Sequence, residues 1–387
     1  MAGLAAVGVL APHVGRLHLV EEAPAFSQVG AGVQLGPNAT HVLQAWGLLD
    51  EALSLGVQPE ALVARSLQDG RELGRMTLAG AMAARYGSPY LTLHRADLHR
   101  LLLRRAQAHA DVEWLMGIPL LAAQPHETGT ALSLGGPQPR VVQADVLLGC
   151  DGVRSRVRQA LWQDGPAAFT GHVAYRALVP MADWPQHLRT HQVTVWLGPR
   201  MHAVHYPVQA GRSMNLVWVV QGPCPTEPPG WEHSQMPQLT LEAMRRAGAM
   251  ASDWQAVAAS VPVWKHWPLF DRLPITGPHE HVRASVALLG DAAHPMRPYL
   301  AQGAAMALED AHALELCLQR QPTDDAATLL AQWAAQRWSR NAWVQARSRR
   351  NGRIFHARGP VQWGRDWAMR WGGAAVMDVP ALYGYRP

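Results

Sequence analysis

The sequence predicts a two-lobed α/β fold: a doubly wound parallel sheet, an inserted antiparallel sheet, and C-terminal helices. Three observations predict it. Two short apolar runs, Val146-Leu147-Leu148 and Val286 to Leu289, have the character of strands buried on both faces, and each stops at a Gly/Asp turn before helical spacing begins. Between them GHVAYRALVPM, QVTVWLG, MHAVHYPVQ and MNLVWVVQG alternate or carry β-branched residues and are joined by turns such as Ala210-Gly211. That change of period marks a second, antiparallel sheet. A long helical pattern then runs from Ala326 to Arg353.

Composition bounds the function. A chain of 387 residues, 48% hydrophobic and 16% charged, can bury a sizeable core and form two or three lobes. The net charge of +5 and pI near 9.4 are mild, and no Lys/Arg block interleaved with aromatics precedes the C-terminal region, which argues against nucleic acid. This balance suits a ligand with two phosphates and an acidic substrate. Cys150, Cys224 and Cys317 lack metal-ligand spacing and cannot all pair, pointing to a reducing cytoplasm. The 19 histidines include no HExxH, so they are expected at the surface or in packing, with no metal site. No apolar run reaches membrane-spanning length, and the N-terminus lacks the basic region of a signal peptide.

Taken in order, Met1 to Val14 reads as a helix of small residues disturbed at Pro12, and Leu17 to Val20 as a strand ending at Glu21-Glu22. An acidic residue closing a second strand is the ribose-binding position of a dinucleotide fold. Gly30, Gly32 and Gly36 mark a loop before a helix from Asn38 to Trp46, and Val57 to Tyr90 reads as strands around Asp69-Gly70. LTLHRADLHRLLLRRA reads as an amphipathic helix with Leu98, Leu101 and Leu102 inward and Arg95 just before it. Asp151-Gly152 then precedes a helix starting near Ser155.

In RMHAVHYPV, strand periodicity puts His202, Val204 and Tyr206 on one face, with Ala203 and His205 on the other. A His and a Tyr facing a pocket could bind and deprotonate a phenol; on pattern alone, a half-exposed strand with polar outward residues is favoured. Pro223 to Pro237 reads as a surface loop and Leu239 to Ala258 as one helix. In the Ala326 to Arg353 helix, Arg337, Arg340, Arg347, Arg349 and Arg350 sit among Trp333, Trp338 and Trp343. Such a helix could lie on a membrane or clamp nucleic acid, while a solvated Arg face opposite a packed Trp face is favoured.

The stretch RASVALLGDAAHPMRPYLAQGAAMALEDAHALELCL, from Arg283 to Leu318, resembles the second FAD-contacting motif of the aromatic-ring flavoprotein monooxygenases, the group that includes salicylate and 3-hydroxybenzoate hydroxylases. About 140 residues earlier, QADVLLGCDGVRSRVRQAL resembles the family's DG motif, and EEAPAFSQVGAGVQLGPNA its flavin-side segment. The resemblance implies that Asp291 binds the flavin ribitol, while Gln302, Gly303 and Ala304 lie at its pyrimidine edge. It implies that Glu21 and Glu22 are at the ribose, Val33 is beside the flavin, and Arg95, Asp151 and Gly152 face the pyrophosphate. It also implies that His202 and Tyr206 line a substrate pocket under Pro298-Tyr299.

The implied chemistry is hydroxylation of a small aromatic acid through a flavin hydroperoxide, consuming O2 and NADH or NADPH. The implied division is an FAD lobe from 1–56, 91–165 and 270–320, a substrate lobe from 57–90 and 166–269, and a helical segment from 321–387. Gly3 falls where the family's last GxGxxG glycine lies, whereas the preceding strand and glycines have no counterpart. The expectation is a start misassigned by roughly ten residues or a lost phosphate turn, with FAD bound poorly. Two alternatives stay open: hydroxylation of another ring, such as a hydroxynicotinate or quinone precursor, and an inactive remnant. Homodimer formation is also left open.

Overall fold

The computed structural model describes residues 1–387 except 27–30, 110, 127, 231, 234–235, 248–249 and 321–324. The expected parallel strands form in two pieces. Leu17–Glu21 pairs with Val112–Met116, and Leu147–Gly149 pairs with Val286–Leu288, both parallel. These pieces do not join among the described residues. The free edges of Leu17–Glu21 and Leu147–Gly149 border one cleft of about 2220 Å³. The small-residue helix Ala2–Leu10 packs against the helices Arg95–Gln107 and Gly303–Arg320, because Ala2, Ala5 and Ala6 permit close approach.

The second sheet has eight strands, in the order Glu232–His233, Trp264–Asp271, Ala168–Pro180, Ser213–Gln221, Met201–Val208, Val193–Gly198, Ala61–Ser66 and Glu72–Thr77. It is mixed rather than purely antiparallel, since Val193–Gly198 runs parallel to Ala61–Ser66. One face packs on a core containing Trp184, Trp196, Trp218, Trp254 and Trp264. The other carries His202, Val204 and Tyr206 toward the parallel-strand lobe, where Tyr206 joins the core of Leu35, Leu91 and Leu93.

Several local expectations change. LTLH is not helical: Leu91–His94 is a strand antiparallel to Gly32–Leu35, and the helix begins at Arg95 itself. Its apolar spacing fitted either element, and a remote partner decided the outcome. Gly32 therefore lies in a strand rather than a loop, while Gly30 lies outside the described residues. The single helix expected over 239–258 is two, Gln238–Ala247 and Ser252–Ala259, with Ala251 extended before the second. The strand Glu232–His233 interrupts the loop expected over 223–237, and a helix, Ala81–Tyr86, follows the strands of 57–90.

The largest correction concerns the long helix Ala326–Phe355. Arg337 and Arg340 are not on a solvated face; they are 0% and 7% exposed and point inward with Trp333. Their partners are the adjacent buried carboxylates Glu309 and Asp310 on Gly303–Arg320. Arg337 Nε donates to Asp310 Oδ1 (3.0 Å) and its Nη1 to Glu309 Oε2 (3.1 Å), while Arg340 Nη2 donates to Glu309 Oε1 (2.9 Å). Asp310 also accepts from the Gly290 amide (3.1 Å) and Asn341 Nδ2 (3.0 Å), and its Oδ2 meets His294 Nε2 at 2.6 Å. Burial alone would push the Asp310 carboxyl up, but His294 and Arg337 outweigh it and hold it well below the usual range.

Removing one member leaves a buried charge without its counter-ion. Asp310→Ala is expected to cost about 3–5 kcal/mol, read as a lowered denaturant midpoint. A loss below ~1 kcal/mol would show that Arg337 finds compensation elsewhere.

Candidate active site

The Gly-Asp turn is built on that network. After Val286–Leu288 the chain turns at Gly290 (φ +58°), whose amide is held by Asp310, and presents Asp291. Asp291 caps no helix: its carboxylate has no hydrogen bond to a described residue and is open to solvent although protein surrounds it. That crowding raises its carboxyl, with His294 and Arg95 pulling in the opposite direction. Gly303 opens the following helix, and a Cβ there would lie 3.8 Å from Asp291 Oδ1. The free first-turn amides of that helix thus start beside the carboxylate. Ala301, just ahead, sits in the left-handed region (φ +54°, ψ +34°), a conformation that costs about 1–3 kcal/mol in a non-glycine residue.

Gly3, Glu21, Glu22, Arg95, Asp151 and Gly152 all line the cleft. The α-amino group of Met1 sits among Arg95, Asp291 and Glu21, and burial, then Arg95, lowers its pKa. Arg95 is exposed into the cleft, while its amide donates to the Ala31 carbonyl (3.0 Å). Asp151 is engaged locally, since its Oδ2 accepts from the amides of Arg156 (2.7 Å) and Val157 (3.1 Å), capping Arg156–Leu161 together with Ser155. Gly152 keeps an open backbone at φ +77°. Glu21 Oε1 accepts from the Ala23 amide (2.9 Å), and Glu22 lies 3.5 Å from Arg156. Gln302 is turned into the protein, accepting from Asn38 (2.9 Å) and donating to the Leu300 carbonyl (3.3 Å). Val33 and Ala304 are half-buried.

On the sheet, His202 and Tyr206 share a face but not a neighbourhood. Four residues of strand separate them by ~13 Å. His202 lies against Tyr299, Phe355 and His356, with ring centroids 5.1, 5.3 and 5.0 Å away. Its Nδ1 is 2.7 Å from His356 Nε2, and His172 stacks edge-on against His356 at 4.7 Å. Tyr206 instead packs on Gly32 and within the core of Leu35, Leu91 and Leu93. The space expected under Pro298-Tyr299 is filled by these rings; Pro298 begins the short 3-10 turn that carries Tyr299. His202 is only 3% exposed, so a ligand ring reaches it only after Tyr299 or Phe355 moves.

Three residues at this face escaped sequence reasoning. His356 and His172 each bury an Nδ1 without a partner, and Arg176 buries an unpartnered Nε while lining the cleft beside Tyr206 and over Trp267. An Arg inside the apolar run AYRALV was the available signal for Arg176. His356 lies in IFHA, where nothing local distinguishes it.

Parallel strands that end at Gly/Asp turns, the first of which lines the cleft, with a mixed sheet packed on Tyr299 of the loop after the second, match the fold of the FAD-dependent aromatic hydroxylases. A family model described as "FAD binding domain" matches residues 1–348, and the chain belongs to that family of FAD-dependent monooxygenases. Among its relatives, 3-hydroxybenzoate 6-hydroxylase of Polaromonas naphthalenivorans is 34% identical over 366 residues, covering 93% of this chain and 87% of that one. The 3-amino-4-hydroxybenzoate 2-monooxygenase of Streptomyces cremeus is 35% identical over 375 residues, covering 96% and 89%. Among solved structures, a salicylate hydroxylase substrate complex superposes with a TM-score of 0.78 at 23% identity, covering 100% of this chain and 93% of that one. Klebsiella pneumoniae HpxO with FAD and uric acid gives 0.81 at 22%, covering 97% and 92%. The predicted α/β fold class and the aromatic-hydroxylase resemblance both hold.

The buried histidines set a pH dependence of stability. Burial lowers His202, His205 and His281 to about 3 each. An unfolded histidine takes up its proton near pH 6.5. The stability is therefore fully present above about 6.5 and falls as pH drops toward 3, by about 1.4 kcal/mol per pH unit for each such histidine. Urea midpoints should fall clearly between about pH 7.5 and 5.5; equal midpoints would mean that these rings stay chargeable in the fold.

Proposed function

We propose that this chain hydroxylates a small phenolic ring acid, of the hydroxybenzoate or salicylate type, using FAD, O2 and NADH or NADPH. Relatives named for 3-hydroxybenzoate, 3-amino-4-hydroxybenzoate and 6-hydroxynicotinate share one substrate chemistry, a hydroxylated aromatic acid. The single observation that carries the mechanism is the 2.7 Å His202–His356 hydrogen bond set against Tyr299 of the Gly-Asp motif's own loop.

The residues suit FAD. Asp291, without a hydrogen-bond partner among the described residues, suits ribitol hydroxyls, and Gly303 opens a helix whose first-turn amides suit the ring edge. Arg95, the open Gly152 backbone and the N-terminus of Ala2–Leu10 suit the pyrophosphate. When bound, FAD supplies the redox and oxygen chemistry. The protein itself must hold the ring, exclude water and manage the phenolic proton.

His202 can accept that proton at Nε2 only if its Nδ1–H donates to His356 Nε2. His356 then carries its remaining proton on the buried Nδ1 beside His172. His356 thereby fixes the tautomer of His202. With burial lowering His202 to about 3, it begins as a hydrogen-bond acceptor, and the phenolate formed beside it supplies the counter-charge that retains the proton. Arg176 is the cation available to an anionic group nearer Tyr206.

A second reading rests on the seam between the two parallel pieces. Strand edges open to a cleft are wet and imperfectly held, which favours a chain that retains FAD weakly. The flavin-to-protein ratio after purification separates the readings: near one supports firm binding, near zero the weak form.

His202→Ala is expected to lower formation of hydroxylated product by ~10²–10⁴-fold, with FAD content unchanged and NAD(P)H oxidation diverted to hydrogen peroxide. Hydroxylation at the wild-type rate across a panel of hydroxybenzoates, aminohydroxybenzoates and hydroxynicotinate would place the base elsewhere. Asp291→Ala removes a charge-assisted hydrogen bond worth about 1.5–3 kcal/mol, so FAD affinity should fall by roughly 10–150-fold in a fluorescence titration. Unchanged affinity would remove Asp291 from the flavin site.

A further inference from the structure

Far from the cleft in sequence, the helix Pro360–Gly372 turns three tryptophans to water. Trp363, Trp367 and Trp371 are 72%, 65% and 78% exposed. Four-residue spacing sets them in one row along the helix, with the last two rings 6.1 Å apart. Single exposed apolar residues need no explanation, but a contiguous patch of this kind marks an interaction surface.

The helix cannot roll to hide them, because its other face is fixed. Met369 packs with Ala64, Leu73 and Leu197, and Arg365 bonds Asp366 (2.8 Å) and the carbonyls of Ile354 (3.2 Å) and Phe355 (3.0 Å).

Charge selects the occupant. Arg370 is exposed beside the row, and Arg353 and Arg358 are exposed just ahead of it. The neighbouring carboxylates are already engaged: Asp366 with Arg365, Glu72 with Arg75 (2.7 Å), and Asp378 with Tyr86 (2.6 Å) and Arg85. In a two-fold contact between copies, these arginines would meet like charges with no free carboxylate to pair them. An anionic surface pairs all of them. Indole, with an apolar body and one polar N–H, also favours a boundary between water and hydrocarbon.

We propose that this helix docks the protein in-plane on an anionic lipid surface. Trp363, Trp367 and Trp371 enter the headgroup–acyl boundary, and Arg358 and Arg370 meet the lipid phosphates. Thirteen residues make a helix ~20 Å long, enough to lie on a bilayer but not to cross it. No described helix is long and apolar enough to span, so the attachment is peripheral and salt-sensitive.

The test is co-sedimentation of the full chain with phosphatidylglycerol-containing vesicles and with pure phosphatidylcholine vesicles. Expected is binding to the anionic vesicles, weakened by salt, with a blue shift of Trp emission. Trp363→Ser/Trp367→Ser/Trp371→Ser should lose this binding by at least ~10-fold while keeping the wild-type melting temperature. Arg358→Glu/Arg370→Glu should lose the preference for anionic lipid. Wild type that stays in the supernatant with both vesicles overturns the proposal. So does wild type that forms a dimer, by light scattering, which the triple Trp variant converts to monomer; the row would then be a self-interface.

Discussion

Two adjacent carboxylates without solvent access, Glu309 and Asp310, are the constraint on which the cofactor side of this protein depends. Taking each from water costs several kcal/mol, which only well-placed cations and amides offset. Arg337 bridges both, and Arg340 closes on Glu309 while donating to the carbonyls of Ala381 (2.6 Å) and Leu382 (3.0 Å). Asn38 reaches Glu309 from the helix Pro37–Ala45 (2.7 Å). One helical turn thus ties together the Gly-Asp turn, two further helices and the C-terminal tail. Apolar replacements of similar volume could be as stable. They would leave the Gly290 amide without its acceptor, so the particular contribution of the network is the placement of Asp291.

The sheet face around Tyr299 rests on a different balance, buried imidazoles kept neutral. His202, His172 and His356 are all lowered by burial, and each also suffers from a cationic neighbour or another imidazole. Neutral rings can share one proton along a hydrogen bond without a charge being buried. A carboxylate in place of His356 would raise His202 toward protonation and remove its ability to accept. A second imidazole orients His202 without charging it, so one ring nitrogen of His202 stays free to accept a proton.

Much of this was legible because strand runs and Gly/Asp turns are short-range signals. Val286–Leu288, Leu147–Gly149, Leu17–Glu21 and the alternating strands from Ala168 to Gln221 read correctly from windows of a few residues. What was not legible depended on remote partners. Arg337 and Arg340 read as solvated because charges on helices usually are, and their carboxylates lie 27 and 31 residues away. LTLH read as helix because its strand partner, Gly32–Leu35, comes from another segment. His356 stands 154 residues from His202, and no pattern in IFHA signals that contact. The split of the parallel sheet is likewise a matter of which edges find partners, which apolar runs do not encode.

The two sides communicate through one strand. Met201–Val208 carries His202 near one end, against Tyr299, and Tyr206 near the other, against the strand Gly32–Leu35. The second contact explains Gly32 by space rather than backbone conformation. A Cβ there would lie 2.5 Å from the Tyr206 ring and 2.9 Å from Asn215 Cγ, while its amide donates to Asn215 Oδ1 at 2.6 Å. Gly352 does the same at the other end, where a Cβ would come within 2.5 Å of Tyr299. Close backbone approach at both ends leaves the sheet little freedom to shift as a body. Opening a path to His202 must then come from side-chain rotation of Tyr299 or Phe355, whose rings lie 6.3 Å apart over it, rather than from movement of the lobe.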